Sequence, residues 1–255
     1  MGPLGFYSIC LKTDHLEETV AFYRRLGFAP VGVDAPGLRV SLANGVDALT
    51  FMTFLDANIV NFRGAHIHRL MHEILDAGVV VTGYNEMPDK QPLMLDEEGK
   101  PLPDNECGHF TVHDPDGHEL FFNTHPHERA PFEAALAGDE GERDQRASSL
   151  WRLVYCLDVT DLDVSSAFYE TLGLWALRAS GGAWITPPVR NRAIHFVLQL
   201  RRSPSVGSLL RFYGDTANGD LLSAEGFDRE PHGWAGTDPD GRRLEFLDGS
   251  MFPRG

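Results

Sequence analysis

An α+β fold of tandem βαβββ units, present as two copies with the second copy truncated, is the class this sequence predicts. Three observations carry it. The tetrapeptide Asp-Pro-Asp-Gly stands at Asp114–Gly117 and again at Asp238–Gly241. Well upstream of each lies a second shared signature, AFYRRLGF at Ala21–Phe28 and AFYETLGL at Ala167–Leu174. Around both pairs, short β-prone runs and amphipathic stretches follow in the order strand, helix, strand, strand, strand. Two unlike signatures recurring in one order mark an internal duplication. Their spacing differs, however: Asp114 follows Phe22 by 92 residues, and Asp238 follows Phe168 by only 70. The shortfall corresponds to about two strands with their turns, which places the truncation in the third of four units.

The elements follow in chain order. Phe6–Thr13 is β-branched, aromatic and apolar, as a strand requires. Asp14 is a helix N-cap type, Leu16, Val20, Tyr23 and Leu26 recur at helical spacing, and Gly27 stands where a helix stops. Phe28–Asp34, Leu38–Ala43 and Ala48–Leu55 read as strands separated by Ala-Pro-Gly and Asn-Gly turns. The pattern restarts with Ile59–Phe62 and an amphipathic helix over Ala65–Ala77, whose core face holds Ile67, Leu70, Met71, Ile74 and Leu75. Val79–Tyr84, Gly108–His113 and Glu119–Asn123 close the first copy, with Met87–Glu106, rich in Pro and acids, as an exposed loop. The polar stretch Pro126–Ser149 connects the copies, with Pro131–Ala137 helical. The second copy runs through strand Trp151–Asp158 and helix Val164–Leu172 after a cap at Asp161 or Asp163. Strands Trp175–Arg178, Ala183–Ile185 and Ile194–Leu200 follow, then a short helix at Val206–Tyr213 and the closing strands Gly233–Gly236 and Leu244–Leu247. The domains are therefore expected at 1–127 and 150–255, with 128–149 as linker.

Composition excludes some classes of partner. A net charge of −15 over 255 residues repels a phosphate backbone, so no nucleic acid is expected. No run is long and apolar enough to span a bilayer, and no basic-then-apolar segment opens the chain, so the expectation is a cytoplasmic protein without a membrane partner. Cys10, Cys107 and Cys156 form an odd, scattered set, unlike a disulfide framework or a thiolate metal site.

A strand, a capped helix ending in FY-x-x-LG and a terminal DPDG hairpin together resemble the vicinal oxygen chelate superfamily. It includes glyoxalases, extradiol ring-cleaving dioxygenases, and bleomycin- and fosfomycin-resistance proteins. The resemblance implies that each pair of units curls into a cup-shaped mixed sheet of eight strands. In catalytic members a divalent metal sits in the cup, on His, Gln or Glu side chains. These come from the first strand of a unit, about seven residues before its helix cap, and from the last strand, four residues after the DPDG glycine. Because only every second strand residue points inward, a ligand must keep this register. In the first copy those positions hold Tyr7 or Ser8, a position near Asn58, and Phe121, which makes the N-terminal cup metal-free. In the second copy Glu245 stands four residues after Gly241, and His195 is taken as the strand-borne histidine. The first-strand position is Val154, beside Tyr155.

The resemblance therefore implies His195 and Glu245 as metal ligands for iron, manganese, nickel or zinc, with Tyr155 as a ligand or proton donor. His232 is an acid–base candidate, and Trp151, Trp184 and Trp234 are candidates to line a pocket for a flat ligand. Against this, a histidine in an apolar strand is commonly structural, and Glu245 could pair with Arg242 or Arg243. Two functions remain open: a dioxygenase- or glyoxalase-like enzyme acting on a small aromatic or oxygen-rich molecule, and a metal-independent small-molecule or drug binder. Four units in one chain complete both cups, which predicts a monomer or loose homodimer.

Overall fold

The computed structural model describes residues 4–31, 35–44, 47–64, 67–83, 108–124, 150–179, 181–186, 197–214 and 219–252. The first sheet comprises β1 (Leu4–Lys12), β2 (Ala29–Pro30), β3 (Arg39–Asn44), β4 (Asp47–Met52), β5 (Ile59–Gly64), β6 (Val81–Thr82), β7 (Gly108–His113) and β8 (Glu119–Thr124). The second comprises β9 (Leu150–Val159), β10 (Trp175–Ala179), β11 (Gly182–Thr186), β12 (Val197–Arg202), β13 (Gly207–Gly214), β14 (Asp228–Glu230), β15 (Gly233–Thr237) and β16 (Arg243–Asp248). Their spatial orders are β2-β3-β4-β1-β5-β8-β7-β6 and β10-β11-β12-β9-β13-β16-β15-β14. In each sheet the two central strands run antiparallel, and each pairs in parallel with the last strand of its own unit. Helices α1 (Leu16–Arg25), α2 (Ile67–Asp76), α3 (Leu162–Thr171) and α4 (Gly219–Ala224) complete four βαβββ units.

The α+β class and the duplicated cup-shaped sheets agree with the sequence, but among the described residues the shorter second copy has as many strands as the first. Both sheets have eight. The extra chain of the first copy lies between Thr82 and Gly108, where the second copy passes from Glu230 to Gly233 in a tight turn. A motif spacing counts residues and cannot say whether they belong to strands or to a connection. The expected helix at Val206–Tyr213 is instead β13, the first strand of the fourth unit, and the unit's helix is α4. Leu209, Leu210, Phe212 and Tyr213 are all buried; a strand covered on both faces gives an apolar run that periodicity alone cannot tell from a buried helix. At α3 the cap is Asp161, whose carboxylate accepts from the N–H groups of Asp163 and Val164. At α1 the N-cap position is His15, with no side-chain cap bond. The connection 128–149, the loop Met87–Glu106 and the helix Pro131–Ala137 lie outside the described residues.

Alternation divides the second sheet cleanly. Leu153, Tyr155, Leu157, Leu198, Leu200, Leu210, Phe212, Leu244 and Phe246 belong to a core that is continuous with Ile9, Leu11, Phe51, Phe62 and Phe122 of the first sheet. Phe28 meets Phe212 edge-on at 5.8 Å between ring centroids, and Phe22 lies 6.1 Å from Phe227, so aromatic contacts cross from one copy to the other. Edge-to-face aromatic pairs add roughly 0.5–1.5 kcal/mol beyond their area burial.

The two sequence signatures interlock across the copies. Glycine closes each: Gly27 and Gly173 end α1 and α3 at φ of 91° and 82°, and Gly117 and Gly241 end the DPDG turns at 88° and 78°. In the second turn Asp238 Oδ1 accepts from the N–H of Asp240 and of Arg242, both at 3.0 Å. Its Oδ2 accepts from Arg242 Nε at 2.6 Å and from the Tyr23 hydroxyl of the first copy at 3.1 Å. Asp114 repeats the arrangement, accepting from Asp116 N–H (3.0 Å), His118 N–H (2.8 Å) and the Tyr169 hydroxyl of the second copy (3.2 Å). The second aspartate of each turn reaches the opposite helix start. Asp240 accepts from Asp14 N–H (3.1 Å) and Thr19 Oγ1 (2.8 Å), and Asp116 from Thr160 N–H (2.9 Å) and Ser165 Oγ (2.9 Å). Each copy's closing turn is thus clasped by the other copy's first helix.

Candidate functional site in the second sheet

The residues facing away from the core on β9, β13 and β16 define the site. Register places Val154 beside Arg211 and Arg211 beside Glu245, with Ala235 of β15 next in the row. Leu244 and Phe246 go to the core, which turns Glu245 to the opposite, concave face. Arg211 donates from Nε to Glu245 Oε2 at 2.8 Å and from Nη1 to Gln199 Oε1 at 2.9 Å, and its Nη2 lies 2.7 Å from Glu245 Oε2. Arg243 Nε reaches Glu245 Oε1 at 3.2 Å, and Arg201 Nη1 stands 3.8 Å from the same oxygen while its Nε donates to Asp158 at 3.0 Å. The fully buried Cys156 thiol donates to Gln199 Oε1 at 3.5 Å.

Burial works against every charge here, and pairing decides the outcome. For Glu245, burial favours the neutral acid, but Arg211, then Arg201 and Arg243, outweigh it and hold the carboxyl below its ordinary value. For Arg211, burial is outweighed by the carboxylate of Glu245, which pairs with it and accepts its hydrogen bond, and the guanidinium is held more firmly charged than usual. Burial pushes the Cys156 thiol up to about 12, so it stays protonated at neutral pH and is neither a nucleophile nor a ready metal ligand. Glu245 thus contributes stability that is complete above its ordinary value of 4.5 and disappears as pH falls through the lower folded value. Wild type and Glu245→Gln should therefore differ in stability at neutral pH and converge on acidification, in urea unfolding from about pH 3 to about pH 7. A constant difference across that range would contradict the pairing.

The structure brings only part of the expected set together. Glu245 faces the concave side, as does Trp184, which is paired in register with Gln199. Tyr155 lies on the core face, its hydroxyl donating to Ser208 Oγ at 3.0 Å, with burial raising it to about 12. It therefore does not converge on Glu245. Trp234 pairs with Phe246 and packs against the core, so it does not line the concave face either. His232 is exposed in the turn before β15, three residues from the Ala235 that opposes Glu245. His195 lies outside the described residues, as does the side chain of Trp151. The strand following His195, β12, is the last of its unit, whereas the fourth unit's first strand is β13, where the inward residue beside Glu245 is Arg211. Sequence reasoning missed Arg211, Arg201 and Gln199. Once β13 is read as a strand, strict alternation from Leu210 and Phe212 picks out Arg211. In the first sheet the corresponding row is Ser8, Asn61 and Phe121.

A polar cleft of about 350 Å³ also opens between the copies, lined by Lys12, Asp14, His15, Ala57, Asn58, Pro239, Asp240 and Arg242. Its cations are already engaged, Lys12 with Asp14 at 3.4 Å and Arg242 with Asp238 and Asp240. The second DPDG turn forms one wall of the cleft.

No family model and no curated protein matches the chain. Among solved structures it is similar to a catechol 2,3-dioxygenase, with a TM-score of 0.59 and 14% identity over 98% of this chain and 94% of that one. It is also similar to homoprotocatechuate 2,3-dioxygenase from Arthrobacter globiformis (TM-score 0.57, 15% identity, 97% of this chain and 80% of that one). A Mn(II)-bound glyoxalase from Novosphingobium aromaticivorans matches with a TM-score of 0.57 at 13% identity, over 97% of this chain and 82% of that one. At such identities the likeness is one of fold, and the fold is that of the vicinal oxygen chelate proteins.

The fold implies a divalent metal in a cup, and the described residues do not fit one. No group of three His, Cys, Asp or Glu among them converges. In register Glu245 stands between Arg211 and Ala235, with Val154 on the far side of Arg211, and three arginines surround its carboxylate. A divalent cation added there would meet like charges at contact distance.

Proposed function

We propose that the chain is a metal-independent small-molecule binder of vicinal oxygen chelate fold, taking a small oxygen-rich molecule into its second cup. The observation that carries this is the Arg211–Glu245 ion pair at the centre of the concave face. A guanidinium and a carboxylate fixed side by side offer donors and an acceptor to hydroxyl, carbonyl or carboxylate oxygens, without a resident ion. Trp184 supplies an apolar wall for a flat ligand. Such a protein would work in the cytoplasm as a monomer or loose homodimer, since both cups are complete within one chain. Among the described residues no helix is long and apolar enough to cross a membrane.

Metal analysis of the purified protein, grown with iron, manganese, nickel and zinc supplied, tests the reading. Substoichiometric metal, unchanged in Glu245→Ala, is expected. About one equivalent of metal, lost on Glu245→Ala or His195→Ala, would overturn it and favour the metal-dependent enzyme, with the residue whose loss releases the metal as a ligand.

A further inference from the structure

Beyond β16 the chain turns back on itself. Asp248 Oδ1 accepts from Ser250 N–H at 2.8 Å and caps a single 3-10 turn, Gly249–Met251, which delivers Phe252 to the concave face. There the Phe252 ring meets Trp184 at 5.9 Å and Tyr213 at 5.1 Å, both edge-on, against an apolar bed that includes Val154 and Leu209. Arg152, one inward position along β9 from Val154 and paired in register with Tyr213, holds its guanidinium 5.6 Å from the Phe252 centroid. Its Nε is shielded from solvent and donates to no acceptor among the described residues. No carboxylate among them pairs with it, whereas Arg201, Arg211 and Arg243 on the same face each have an acidic partner.

The geometry points to a subsite for a monocyclic aromatic carboxylate, in which Phe252 holds the place of the ligand's ring and Arg152 receives its carboxylate. This deepens the binding reading above and rests on it. An aromatic ring fits between Trp184 and Tyr213 because their edges already grip one. An anion is called for because the Arg152 guanidinium, its Nε shielded from solvent, has no acidic partner among the described residues, and a carboxylate accepting from it makes the strong, charge-assisted type of hydrogen bond. Phe252 follows the last described strand on a one-turn 3-10 support, so a ligand ring can displace it without disturbing a strand.

The probes are 3-phenylpropanoate and its neutral amide, titrated calorimetrically and by tryptophan fluorescence into EDTA-treated wild type, Phe252→Ala, Arg152→Gln and the double variant. Phe252→Ala should bind the acid at least about tenfold more tightly than wild type, because the ring's place is vacated. It should also prefer acid over amide by about tenfold or more, and Arg152→Gln should abolish that preference while leaving amide binding unchanged. Equal affinity for acid and amide, or a preference that survives Arg152→Gln, would overturn the subsite, as would absence of binding to folded Phe252→Ala. Should Phe252→Ala not fold, the acid-against-amide comparison between wild type and Arg152→Gln decides alone. Metal analysis of the same preparations before EDTA treatment keeps the two readings apart: metal at Glu245 sinks the metal-independent reading, and loss of the acid preference sinks the subsite.

Discussion

Asp238→Ala is expected to destabilise the protein by about 3–5 kcal/mol, the range for removing one partner of a buried ion pair. The Asp238 side chain is fully buried, and Arg242, 10% exposed, depends on it at 2.6 Å. The variant leaves that guanidinium with Asp240 as its one carboxylate partner, removes the acceptor for the Tyr23 hydroxyl and opens the turn whose N–H groups Asp238 ties. Asp114→Ala removes an equivalent turn and the Tyr169 contact, but the donors to its carboxylate are the N–H groups of Asp116 and His118 and a phenol rather than an arginine. Its cost should be smaller, about 1–3 kcal/mol, the range for leaving a neutral buried donor unpaired. Urea unfolding checks both values. Since one hydrophobic core joins the two sheets, a single transition is expected, with m unchanged. Equal losses for the two variants would show that the Arg242 pair contributes nothing to the clasp. Two transitions in the wild type would show that the copies unfold apart.

What the sequence reveals about this architecture depends on how local each cause is. The first helix, its Gly27 stop and the DPDG turns are written in adjacent residues, and they stand where periodicity and turn chemistry place them. The purpose of those motifs is not local. Tyr23 and Asp238 are joined by a hydrogen bond between residues far apart in the chain, and nothing near either one announces the other. The candidate site divides the same way. Glu245 is fixed by its distance from Gly241 and by the alternation of Leu244 and Phe246. Arg211 was hidden because β13, buried on both faces, imitates a helix, and one misassigned element moved the expected neighbour of Glu245 to another strand. Residue type suggests Tyr155 and Trp234 for the site, but strand parity is decisive: each is one position away from an inward residue, and one position is a whole face.

The site's register leads to the opposite experiment, the building of a metal centre. Val154, Arg211 and Glu245 lie side by side on three neighbouring strands and share the concave face. Adjacent strands are about 4.8 Å apart, a spacing from which three inward side chains can reach one ion. Val154→His with Arg211→His would supply the two-histidine, one-carboxylate facial set that suits iron(II) and related cations. It would also remove the guanidinium held against Glu245. Arg243 at 3.2 Å and Arg201 at 3.8 Å remain as opposing charges and should weaken the site without blocking it. The double variant is expected to retain about one equivalent of manganese, iron or zinc after dialysis, measured by elemental analysis. Val154→His alone should retain almost none, because Arg211 still occupies the carboxylate. Adding Glu245→Gln to the double variant should release the metal. A folded double variant that stays metal-free, or one whose metal is indifferent to Glu245→Gln, would mean that the three side chains do not converge, and the register on which the candidate site is built would have to be abandoned.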